Sequence, residues 1–465
     1  MPKIAFGLSA YRRDGGNLPE LRVVNMFAEQ APTAKAGVVL MSRKGLAEAS
    51  VIGDGPIQGQ FQQPGTFDGD TFTVSAGVLY RETDELGAVT VSGPVSFASS
   101  GTEIVLTGGS IAYSYDGTDL QPIDIPDDQN IIKVEFFGSR FIYIPDNPTI
   151  GAGGYYWCDL DGDDIPDGRT IDPLNFANAE SAPDGLLDAL VVRDSLFLLG
   201  QRTIERHEIT TDPDLPFQKI PHTTQARGVI ATGCAVPADN TLHCIGEDGI
   251  FYRMGDVPEQ LSDSGIEERI IASATRRLLR YDYEGHPLIL IVLDDDAFAY
   301  DARTRQFHNP RSYGLDRFRA SSAINVGTEA CLGDEATNQV WTFSGWEDDG
   351  GPLERLFTAY FPLDAGSVAI DNLWIEANVG RTDLLSGQGS DPVAEMRYSR
   401  DAGATWSDWE ASNLGEQGEY RVVAEWRALG TFDVPGAMFE IRVTDPIGFR
   451  VSAVHVNDPI PGRSR

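Results

Sequence analysis

From about residue 56 to residue 345 the chain repeats short apolar or alternating runs separated by turn residues, and each pair of runs reads as a β-hairpin. Val78-Leu79-Tyr80-Arg81 and Ala88-Val89-Thr90-Val91 flank Asp84-Glu85-Leu86-Gly87, and the run from Ser110 to Tyr115 enters the turn Asp116-Gly117. Arg140-Phe141-Ile142-Tyr143-Ile144 stops at Pro145-Asp146-Asn147-Pro148, where a helix could not continue. The same alternation returns at Ser195 to Leu199, at Leu242 to Ile245 with Ile250 to Arg253, at Phe298 to Tyr300 with Gln306 to His308, and at Val340 to Phe343. These hairpins recur about every 40 to 50 residues, the length of a four-stranded propeller blade. The spacing is irregular and leaves the number of blades open.

The texture changes after Trp346-Glu347-Asp348-Asp349-Gly350-Gly351-Pro352, a polar, glycine-rich break. Longer strand-like runs follow, at Tyr420 to Trp426 and Met438 to Val443. The pattern predicts an all-β chain in three parts: residues 1–50 closing or bracing a propeller, the β-propeller itself over 51–346, and a β-sandwich-like domain over 353–465. Few helices are expected, and the best candidate is Gly265 to Arg280, where Ile266, Ile270, Ile271 and Leu278 stand among charges.

Composition narrows the roles. The 36 Lys and Arg against 70 Asp and Glu leave a net charge of −34, which repels phosphate backbones and anionic lipid heads. The four cysteines, Cys158, Cys234, Cys244 and Cys331, form no CxxC pair and suit a reducing compartment during folding. The longest aliphatic stretch, Leu288 to Leu293, is too short to span a bilayer, and no export signal or membrane anchor is expected.

Several elements occur in a recognisable order. They begin with Val24-Asn25-Met26-Phe27-Ala28-Glu29 and Arg43-Lys44-Gly45-Leu46, and continue with Gly200 to Glu205, Arg227-Gly228, Gly233 to Pro237, and Gly249 to Gly255. Ile266-Glu267, Gly285-His286, Tyr300 to Thr304 and Phe307-His308 come next, and Ser399 to Trp406, Gly418-Glu419-Tyr420 and Trp426 to Gly430 close the series. Together these resemble the tail hub or nozzle proteins of short-tailed bacteriophages, also called packaged-DNA stabilisation proteins, with Lys44 standing where proline is usual. The resemblance implies a non-enzymatic structural virion protein, made in the host cytoplasm and placed in the phage tail. It implies a homohexameric ring below portal and adaptor proteins that extends the DNA channel, receives a tail needle or plug, and meets double-stranded DNA only transiently during ejection. An acidic channel lining would keep the genome from sticking.

Other constellations have plainer readings. Ser399-Arg400-Asp401-Ala402-Gly403-Ala404-Thr405-Trp406 fits the Asp-box pattern Ser-x-Asp-x-Gly-x-Thr-Trp, a hairpin turn whose carboxylate caps backbone N–H groups above a packed Trp. Sialidases carry such boxes, so a carbohydrate-binding or carbohydrate-active propeller of a tail or secreted protein is the rival reading; it expects several boxes, and one is present. Asp159, Asp161, Asp163 and Asp167 fall at positions 1, 3, 5 and 9 of a loop that calcium could use, as in an adhesion module, although Thr170 at position 12 does not complete an EF-hand. A solvated acidic turn is the simpler expectation. His207, His222, His243, His286, His308 and His455 are scattered as core or turn residues, and Asp294-Asp295-Asp296 reads as a solvated loop end. No GxSxG elbow, Walker loop or strand-linked GxGxxG occurs, so no catalytic residue, metal site or cofactor is assigned.

Overall fold

Period-2 runs such as Ile131–Phe137 and Leu186–Val192 alternate side chains between two faces, and each run hydrogen-bonds antiparallel to the next along the chain. The computed structural model describes residues 3–4, 7, 9–10, 20–31, 37–160, 165–179, 182–212, 214–382 and 384–459. Among them, seven four-stranded sheets follow one another round an axis as the blades of a β-propeller. Blade 1 opens with Ile57–Phe61, blade 2 with Ser96–Ser99, blade 3 with Ile131–Phe137, blade 4 with Leu186–Val192, blade 5 with Ala235–Ala238, blade 6 with Arg276–Tyr283 and blade 7 with Ala320–Val326. Apolar layers between neighbouring blades hold the ring together. Between blades 3 and 4, for example, Ile142, Tyr155 and Trp157 pack against Leu196, Leu198 and Phe217.

Blade 7 takes its outer strand from the other end of the propeller sequence. Leu46–Val51 pairs antiparallel with Gln339–Phe343, from Phe343 opposite Leu46 to Gln339 opposite Val51. This closes the ring, with Leu46–Val51 covering the edge of Gln339–Phe343 and becoming the outer strand of blade 7.

Two further sheets pack face to face as a β-sandwich. The long strands Arg355–Pro362, Ser367–Ala377, Glu425–Asp433, Gly436–Val443 and Arg450–Val456 carry most of it. Val23–Val24, Met26–Gln30 and Val38–Ser42 complete it, and Val23, Met26, Ala28 and Leu40 share one core with Phe357, Leu373, Trp426 and Phe439. Among the described residues of the first fifty, therefore, the propeller is not the only partner: residues 46–50 close it, whereas the strands between residues 23 and 42 belong to the sandwich.

Some local expectations shift. The helix is Ser264–Ala272, capped by the Asp263 carboxylate on the N–H groups of Gly265 and Ile266. It ends eight residues earlier than its charge pattern suggested, because Arg276–Tyr283 is the inner strand of blade 6 and turns Leu278 into the apolar layer beside Ile266 and Ile270. In blade 1 the outer strand is Asp84–Ala88, so the turn lies at Glu82-Thr83. In the sandwich the strand begins at Glu425, not Tyr420.

Candidate functional site: propeller axis and domain junction

The inner strands point polar side chains at the axis. Gln60, Ser96, Lys133, Asp188, Arg277 and Ser322 border an axial cavity of about 360 Å³. Lys133 Nζ lies 3.1 Å from Asp188 Oδ1, while Asp188 Oδ2 accepts the Gly233 N–H at 3.1 Å. Burial disfavours the Lys133 ammonium, but the carboxylates of Asp188 and Glu135 more than offset it and hold its pKa above the ordinary value. Burial lifts Glu135 and lowers Arg277, whose guanidinium donates to the Ser321 carbonyl at 2.6 Å. Ser322 Oγ donates to Gln60 Oε1 at 2.9 Å, joining blades 7 and 1. These contacts tie neighbouring blades to one another round the axis. All seven inner strands border this one cavity, and about 360 Å³ is far too little space for a DNA duplex.

The second constellation couples the two domains. Strand alternation sends Met26 and Ala28 into the sandwich core and Phe27 into the propeller, where its ring meets Tyr283 at 5.7 Å and His286 at 5.0 Å. Asn25, at φ 53°, makes the turn into this strand, and its side-chain oxygen accepts from Arg43 Nε at 2.9 Å and from the Arg311 N–H at 2.8 Å. Arg43 is buried, with Nη1 3.1 Å from Asp348 Oδ1 and Nη2 donating to the Arg311 carbonyl at 2.7 Å, and it stacks over Phe318. Asp348 also accepts the N–H groups of Leu46 at 3.0 Å and Tyr313 at 2.7 Å. A Cβ on Gly45 would sit 1.6 Å from the Glu347 carbonyl oxygen, so the close approach of these two segments requires glycine there. The polar, glycine-rich break between the two domains is thus also the clamp that joins them. Arg355 extends it into the sandwich, donating to the carbonyls of Asp445 and Trp346, and burial pulls its pKa down to about 9.

The remaining sequence motifs lie away from these two places. In the Asp box, Asp401 accepts from the Thr405 N–H at 2.8 Å and from the hydroxyls of Ser399 and Thr405, which pulls its carboxyl down to about 2. Arg397 bridges Trp406 and Trp409 on the outside of the sandwich and pairs with the buried Glu440. Asp159 and Asp167 face each other in a two-residue ladder, with Asp159 taken by Asn175 and Asp167 by the Arg169 N–H and the Thr170 hydroxyl. Asp161 and Asp163 lie outside the described residues, among which no cluster of His, Cys, Asp and Glu has the geometry to hold a metal ion. Asp294-Asp295-Asp296 is more than a solvated loop end: Asp294 accepts the N–H groups of Ala274 and Thr275, and Asp296 is buried beside Arg269. The histidines are buried apart from His222, and His286 holds Asp301 at 2.7 Å within blade 6.

Sequence reasoning missed Asp348, Lys133 and Asp188. Each lies in a segment whose composition says only polar turn or alternating strand, and each acquires its role from residues far away in the chain.

Comparison with known proteins agrees with this architecture. The family profile described as the β-propeller of bacteriophage P22 Gp10 matches residues 3–345, and that described as its β-sandwich matches residues 354–457. The chain is similar to the tail hub protein gp10 of Salmonella phage P22, with 25% identity over 343 residues, or 66% of this chain and 70% of that protein. Among solved structures, the computationally designed Ika8 protein aligns at 11% identity and a TM-score of 0.40, over 72% of this chain and 99% of that one. The β-propeller domain of Cps50 (Swd1) from Myceliophteria thermophila aligns at 9% identity and a TM-score of 0.42, over 64% of this chain and all of that one. Structural likeness that low bears on neither fold nor function. With both family profiles in sequence order over a seven-bladed propeller clamped to a sandwich, the chain belongs to the bacteriophage P22 Gp10 family and is a structural protein of the phage tail, of the tail-hub type.

Proposed function

We propose that this tail protein assembles as a homohexameric ring that continues the DNA channel below the portal and adaptor and seats a needle or plug at its far end. The observation that carries the reading is the occluded axis. A single propeller has no bore for a duplex, so a channel for DNA has to form between copies, with each propeller as a solid wall element. The clamp at Arg43 and Asp348 suits that role, because a wall that bears load needs its two domains to move as one body.

Charge supplies the second half of the mechanism. Six copies at −34 each carry roughly −200, and the part of that charge facing the bore repels phosphate and leaves no deep minimum in which the genome could stick. Retention then falls to the distal plug, and release to its departure. The test is the mass of the assembly, in solution and on a portal–adaptor complex, by native mass spectrometry and electron microscopy. Six copies round an open channel are expected; a chain that stays monomeric on the portal–adaptor complex would overturn the proposal.

A further inference from the structure

We infer that the cleft between blades 4 and 5 is a socket for the tip of the sandwich of a second copy of this chain. This rests on the ring reading and goes further by naming the contact. The cleft holds about 420 Å³, with the half-buried Phe197 as its apolar surface over the buried Leu242 and Met254, and with Arg193 and Arg206 among the residues that border it. Arg206 is steadied by Ser195 Oγ at 2.9 Å and by Phe197 beneath it, and Arg193 stands exposed on the turn that joins the first two strands of blade 4. Among the described residues neither arginine has a carboxylate within ion-pair distance, in a chain with nearly twice as many acids as bases. The single carboxylate of the lining is Asp256, on the adjoining turn of blade 5.

The complementary feature stands at the sandwich end bearing the turns 363–366 and 433–435, which the Leu363 N–H to Pro435 carbonyl bond ties together. Val434 projects there at 52% exposure, with the exposed acids Asp433 and Asp364 on the same two turns, and neither acid has a cation within ion-pair distance among the described residues. A knob that carries Val434 and two carboxylates without counter-ions matches, in charge above all, a cleft that offers the Phe197 ring beside two guanidinium groups without carboxylate partners. The pairing also has the symmetry a ring demands: a closed ring with more than two members is built head to tail, from two different patches on every copy.

Charge exchange tests the contact on the full chain. Arg193→Glu changes an exposed turn and should leave the melting temperature unaltered while weakening assembly by roughly tenfold or more. Adding Asp433→Arg should restore assembly, and an Arg193→Cys, Asp433→Cys pair should give a covalent ladder of protomers on oxidation. Rings as stable in Arg193→Glu as in the wild type, or no ladder from preformed rings, would overturn the contact and leave the ring standing. Absence of any wild-type assembly on the portal–adaptor complex would remove the ring reading and this contact with it.

Discussion

Removing the Asp348 carboxylate should loosen both domains at once. Asp348 is 1% exposed and Arg43 5%, so Asp348→Ala leaves a buried guanidinium without its counter-charge and deprives the Leu46 and Tyr313 N–H groups of an acceptor. Breaking one side of a buried ion pair costs about 3–5 kcal/mol. Each orphaned amide adds about 1 kcal/mol where water cannot reach it. The contacts of Arg43 with Asn25 and the Arg311 carbonyl remain, which places the expected loss at about 4 kcal/mol. Because Leu46 begins the strand that closes blade 7, the loss should appear as faster amide exchange in residues 43–51 and 339–349, and as a lower unfolding free energy in urea. Asp348→Asn, which keeps one acceptor oxygen, should lose less. The Arg43→Met, Asp348→Leu double variant should lose less than the sum of the singles, since it removes both buried charges together. A loss within about 1 kcal/mol of zero for Asp348→Ala, with exchange unchanged, would refute the clamp.

Fragments should fold according to the packing and not according to chain order. Residues 46–345 should give a monodisperse propeller, whereas 52–345 should aggregate through the exposed edge of Gln339–Phe343, as light scattering would show. The sandwich fragment 354–459 lacks Val23, Met26, Ala28 and Leu40 from its core and should fold only when residues 20–42 are supplied, monitored by circular dichroism. Burial lowers His243 and His308 from 6.5 to about 4, so on acidification the unfolded chain takes up protons before the native one does. Stability is therefore complete above pH 6.5 and falls between 6.5 and about 4; His243→Phe, whose ring fits the same stack on Phe251, should flatten that fall in a urea titration across pH. Asp401 works in the other direction, stabilising its turn above the ordinary carboxyl value of 3.8 and losing that contribution as pH drops through about 2. Exposed to solvent, it is worth under about 1 kcal/mol, so Asp401→Ala should barely change melting and leave assembly intact; a large loss of assembly would assign the Asp box a role at an interface.

The sequence by itself determined a good deal. Period-2 runs at the right length, bounded by Gly, Pro, Asn and Asp, were enough for an all-β chain with propeller-length units, because burial of one strand face is written locally in every second residue. The ordered motifs from Asn25 to Gly430 pointed to the family, and the Asp box was readable because the hydrogen bonds of the Asp401 carboxylate all lie within Ser399 to Thr405. Tertiary structure alone decided the rest. The number of blades depended on Leu46–Val51 returning to blade 7, a pairing across about three hundred residues that no local pattern encodes. The role of Asp348 depended on Arg43 and Tyr313 arriving from two other segments, which made the polar break at the domain boundary a clamp. Even the net charge says little by itself, because where an acidic surface lies is set by packing, not by composition.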